Sequence, residues 1–156
     1  MTDRSDEFGT IYLPALRRIR DLWTDLEPLT VETGYDDPIN PTELRVTLDD
    51  GIDAADTARI DIQWSTLDNY TFHYTDSAGL NWRFDRHPNT HSPERHFHPP
   101  AEDGTREGSN DGTVDPEPSC IQVGEVSLVT RAVHKLWRVA YESGDPTRLN
   151  TLSNPP

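Results

Sequence analysis

Five consecutive stretches of this chain alternate apolar and polar residues, and the run is bounded on both sides by a helical period. Residues 29–33, 43–48 (ELRVTL), 58–64 (ARIDIQW), 70–75 (YTFHYT) and 80–84 (LNWRF) carry the two-residue repeat of half-buried strands. DSAG at 76–79 has tight-turn composition, so the last two stretches are expected to form a hairpin. Connections this short favour antiparallel neighbours, because a parallel return needs a long crossover.

Before the strands, residues 8–27 place Ile11, Leu16, Ile19, Leu22, Trp23 and Leu26 at helical spacing. Thr10 is the expected N-cap, and Pro14 is tolerable only in the first turn. Arg17, Arg18 and Arg20 read as a solvated face pairing with Asp21 and Asp25. After the strands, residues 123–141 repeat the helical period through Val126, Val129, Val133, Leu136, Trp137 and Ala140, and Gly144 and Pro146 end it. The expected fold is α+β: an antiparallel four- to five-stranded sheet, a meander with a C-terminal hairpin, packed against an N-terminal and a C-terminal helix. One domain is expected over residues 8–143. Residues 85–119 lack periodicity and read as a long loop, mobile at about 101–119; residues 1–7 and 144–156 read as disordered tails. Trp64 and Trp82 fit the core of the sheet better than base-stacking platforms.

The charge restricts partners less than its size suggests. The chain carries 28 Asp+Glu against 14 Lys+Arg, a net charge of −14. The acids are spread evenly, and lysine occurs once, at Lys135. That pattern fits the hydrated surface of a halophilic protein, on which salt screens self-repulsion. The lone Cys120 excludes an internal disulfide and a thiolate-rich zinc site, and it reads as a small structural residue. The polar N-terminus and the absence of a long apolar run lead to the expectation of a cytoplasmic protein with no membrane contact.

Against this acidic background, RFDRHPNTHSPERHFHPP (83–100) gathers four of the six histidines and three of the fourteen basic residues. Imidazoles can serve as general acid and base near neutral pH. Arginine can fork onto phosphate oxygens and stabilise charge in a transition state. The candidate proton-transfer residues are His87, His91, His96 and His98, with Asp85 to orient one of them; Arg83 and Arg95 are the candidate phosphate holders. His73, on the neighbouring strand, could reach the same face across the hairpin. No metal or other cofactor is predicted. Three readings stay open: acid–base or phosphate chemistry; a divalent transition metal held by His91, His96 and His98, with His87 or Asp85 as further ligands; and a non-catalytic regulatory binding module. His134, alone on the second helical segment, reads as structural.

The order of these motifs resembles the TumE family of toxin–antitoxin toxins. Tyr70 to Gly79 matches the family's Y-x-F-x-x-x-D-x-x-G pattern. Arg83-Phe84-Asp85, His87-Pro88, His91 and then His96-Phe97-His98 follow its R-W-D-N-x-P-H-H and P-H-H-x-H segments. Arg86 stands where that pattern has Asn, and Asn89-Thr90-His91 replaces an adjacent His pair. The resemblance implies a small toxin acting on RNA or translation; whether it is an enzyme stays open, with a ribonuclease as the class that the His/Arg stretch would suit. It also implies neutralisation by a cognate DNA-binding antitoxin encoded nearby.

Overall fold

The first helix starts later than its apolar period suggests. In the computed structural model, which describes residues 8–87, 95–100, 116–153 and 155, α1 spans Leu13–Leu26 and buries Ala15, Leu16, Ile19, Leu22 and Trp23. Its N-cap is Tyr12, which makes no side-chain capping bond, so Thr10 is not the cap. Instead, the chain before α1 is extended, and Ile11 bridges Ser65. Pro14 lies in the first turn, where a missing N–H leaves no bond unmade.

Seven strands follow: β1 Thr30–Tyr35, β2 Leu44–Leu48, β3 Ala58–Trp64, β4 Tyr70–Asp76, β5 Asn81–Arg86, β6 Arg95–His98 and β7 Glu117–Pro118. They form one antiparallel sheet in sequence order. The α+β class and the meander agree with the sequence expectation; a sheet of only four to five strands does not. The two further strands lie in the stretch expected as a loop. β6 has a single apolar position, Phe97, and prolines beyond it, so it carries no readable alternation. Pairing with β5 and the burial of Phe97 define it instead. Residues 101–115 of the expected mobile loop lie outside the described residues, while Glu117 and Pro118 pair with β6.

The hairpin forms as expected. Asp76 Oδ1 accepts the N–H groups of Ala78 and Leu80 at 2.9 and 3.1 Å, and Gly79 has a φ of 93°, which suits glycine. Helix α2, Val126–Ser143, has Glu125 at its N-cap, accepting from the N–H groups of Ser127 and Leu128. It ends at Gly144, whose φ of 70° is the left-handed C-cap. Beyond it, the segment expected as a tail forms a short 3-10 turn at Pro146–Arg148. Leu149 is buried, and Asn150 accepts from the Cys120 N–H, so this stretch packs rather than trails.

Both helices cover one face of the sheet. Val46, Ile60, Tyr74 and Trp82 line that face, joined by Ile62, Phe72, Phe84 and Phe97. All four tryptophans are in this core; Trp64 stacks on Tyr70 and Trp82 on Tyr74 at 5.0 Å each. A buried carboxylate ties the helices together: Glu27 accepts two bonds from Arg138 at 2.8 Å and lies 3.1 Å from His134 Nε2. His134 is therefore structural, as its isolation suggests. Arg20 pairs with Asp21 at 3.0 Å on the solvated side of α1. Among the described residues no helix is long and apolar enough to cross a membrane.

Candidate functional site

Alternation along each strand sends half of the side chains to the face away from the helices, and register decides which of them meet. Pairing across β2 to β6 aligns Arg45, Asp61, His73, Arg83 and His98 in one row. The next row holds Gln63, Thr71, Asp85 and His96. The hairpin turn centres on residue 78, which is why residue 73 lands opposite residue 83.

Asp85 is the hub. Its carboxylate is 2% exposed, and three nitrogens converge on Oδ2: Arg83 Nε at 2.7 Å, His98 Nε2 at 3.0 Å and His96 Nε2 at 3.4 Å. Burial alone would push Asp85 upward. The bonds from His96 and His98 and the charge of Arg83 outweigh it and hold the carboxyl well below the ordinary range. Asp85 is thus an anion at neutral pH. Its other oxygen, Oδ1, is buried and has no hydrogen-bond partner among the described residues.

His98 Nε2 lies between that acceptor and a donor, Arg83 Nη2 at 3.1 Å. The neutral ring can accept from Arg83, and the protonated ring can donate to Asp85, so each protonation state has a partner. His96 packs edge-on between His98 and His87, with ring centroids 4.8 and 5.4 Å away. One oxygen of Asp85 and one ring nitrogen each of His87 and His96 lie within 4.8 Å of one another. On the other side of Arg83, His73 Nε2 is 3.4 Å from Asn81 Oδ1. Burial lowers His73 below its ordinary value, the Asn81 bond opposes that shift, and the Arg83 charge adds to it. His73 is therefore a neutral imidazole at neutral pH.

The expected site residues separate into three groups. Asp85, His87, His96, His98 and Arg83 come together. Arg95 does not join them: it pairs with Arg86 across β5 and β6, one position out of phase with His96 and His98, and so faces the helix side. Arg86 is on that side too, donating to the Asp68 carbonyl at 2.9 Å and to Asn69 Oδ1 at 3.0 Å. His91 lies outside the described residues. Asn81 was not among the expected residues; counting outward from the turn would have placed it on this face. Burial pushes the Cys120 thiol up to about 11, away from the lowered range of reactive cysteines.

No curated protein and no solved structure matches the chain. A family model described as toxin TumE matches residues 16–142, from the first turn of α1 to the last turn of α2. That span includes most of both helices, the whole sheet and the Asp85 cluster, so the chain belongs to the TumE toxin family.

Proposed function

We propose that this toxin acts by cleaving RNA at the face of the sheet turned away from the helices. One observation carries the reading: cross-strand register sets Arg83 between two histidines, His73 and His98, and its Nη2 lies 3.1 Å from His98 Nε2. Neighbouring strands are about 4.8 Å apart, so His73 and His98 stand on strands about 9.6 Å apart, one on each side of Arg83.

RNA carries its own nucleophile, so the protein has only to move protons and hold charge. His73, kept neutral by burial, takes the proton of the 2′-hydroxyl. The 2′-oxygen then attacks phosphorus and the bond to the 5′-oxygen breaks. His98 gives its proton to that leaving oxygen, and Asp85 holds the ring in place. Arg83 meets the charge that builds on the phosphate oxygens. The products are a 2′,3′-cyclic phosphate and a 5′-hydroxyl. The reading narrows the sequence expectation, since it uses Asp85, His98, Arg83 and His73 and leaves His87, His91, His96 and Arg95 out.

Membership of a toxin family implies a cognate antitoxin. A DNA-binding antitoxin encoded beside the toxin is the partner this reading takes.

The test is cleavage of total RNA by the purified, folded chain in high KCl. His73→Gln and His98→Gln are each expected to lower the rate by about 10²–10⁴, the usual size of an acid–base contribution. The cut ends should carry cyclic phosphate. Intact RNA in the presence of folded wild-type protein would refute the reading.

A further inference from the structure

We propose that Asp85, His87 and His96 hold a divalent transition-metal ion of the zinc type. The argument starts from the unequal oxygens of Asp85. Oδ2 is crowded by Arg83, His98 and His96. Oδ1 belongs to the same buried carboxylate, paired with Arg83 through its other oxygen, and accepts nothing among the described residues. A buried charged oxygen without a partner is costly, and a cation is the partner that it lacks.

The neighbours of Asp85 are suited to a cation. An Asp85 carboxylate oxygen and ring nitrogens of His87 and His96 lie within 4.8 Å of one another. A metal at about 2.1 Å from each would hold them within roughly 4.2 Å, so side-chain rotation on an unchanged backbone closes the site. Two imidazoles with one carboxylate suit zinc, iron(II) or nickel, whereas magnesium and calcium prefer an all-oxygen shell. Three protein ligands leave coordination positions open, as in working rather than structural metal sites. Arg83 and His98 meet Asp85 through Oδ2, so they remain with the proton-transfer row.

The charges also point to a role. Asp85 and Arg83 cancel, so a bound divalent ion leaves a centre of charge +2 on a chain whose net charge is −14. Such a spot would draw a phosphate to this face and not elsewhere. The metal inference goes beyond the RNA reading and does not depend on it.

The experiment measures the metal itself. The full chain is purified without an affinity tag, its metal content is read by mass spectrometry, and the stripped protein is titrated with Zn²⁺ and Co²⁺. About one equivalent per chain is expected, with a cobalt visible band typical of mixed nitrogen and oxygen ligands. His87→Gln, at a half-buried position, should weaken binding beyond the 10–100-fold that loss of an outer-shell partner costs, while His73→Gln should leave it unchanged. Asp85→Asn, equal in shape, gives the same test should the first variant misfold. No uptake at roughly 100 μM Zn²⁺, or equal uptake by wild type and both ligand variants, would overturn the inference. Bound metal without RNA cleavage would sink the RNA reading and leave this one standing; RNA cleavage by protein that takes up no metal would do the reverse.

Discussion

Phe97→Ala asks whether the histidine pair rides on a strand or on a loop. Phe97 is 3% exposed and packs on Phe84 at 4.6 Å and on Trp82 at 6.4 Å between ring centroids. It is the one apolar side chain through which β6 grips the core, between His96 and His98. A buried phenylalanine removes about 150–200 Å² from water, worth roughly 4–5 kcal/mol at ~25 cal/mol per Å². Truncation series give about 3–5 kcal/mol for Phe→Ala, so the two routes agree. For a chain of this size that is a fall in Tm of roughly 10–15 °C. Calorimetry or circular dichroism on matched samples reads it directly. A loss below about 1 kcal/mol would mean that Phe97 is not packed and that residues 95–98 are loose. The convergence of His96 and His98 on Asp85 would then lose its support.

Three further perturbations have defined outcomes. Glu27→Gln removes the buried partner of Arg138 and His134 and should cost about 2–4 kcal/mol in urea titrations, because it leaves a guanidinium underpaired; a loss under ~1 kcal/mol would show that the clamp does not hold α1 to α2. Burial lowers His134 from 6.5, against the opposing Glu27 bond, so the native state binds this proton less readily than the unfolded chain does. Its contribution is complete above that ordinary value and is lost as pH falls through the lowered one; His134→Gln should therefore flatten the decline in stability between about pH 7 and 5, and an unchanged slope refutes this assignment. With 28 acidic against 14 basic residues, the unfolding midpoint should rise between about 0.1 and 1 M KCl as the Debye length shrinks from ~10 to ~3 Å, and a flat or falling midpoint contradicts the halophilic reading.

The parts of this fold that were legible in the sequence are those whose pattern is local. β3 has the expected bounds, residues 58–64, because its alternation is unbroken and both flanks carry turn residues. The α2 stop was readable because Gly144 adopts the left-handed conformation that glycine tolerates best. β6 was not readable: a four-residue strand with one apolar position resembles any polar segment until its partner is known. Leu149 was missed for the same reason, since two leucines, Leu149 and Leu152, among Asn, Thr, Ser and Pro are too few to define a period, yet Leu149 is buried in the core. The site follows suit. Arg83 and Asp85 are two apart, as are His96 and His98, so strand parity aligns both pairs once the segments are known to be extended. Arg95 read as part of the cluster only while 85–119 counted as a loop; in a strand its odd spacing from His96 sends it to the other face. His73 needed the turn centre, and that was already in DSAG.

The most direct measurement of the central claim is growth after induced expression of the toxin without its antitoxin, wild type beside His98→Gln. Protein amounts would be matched by immunoblot and the fold checked by circular dichroism. Wild type is expected to arrest growth, and His98→Gln to leave colony counts within about two-fold of an empty vector, if loss of this acid–base group costs at least ~10² in rate. Arrest by folded His98→Gln protein as complete as that by wild type would contradict the account, because the toxic surface would then lie away from the Asp85 cluster.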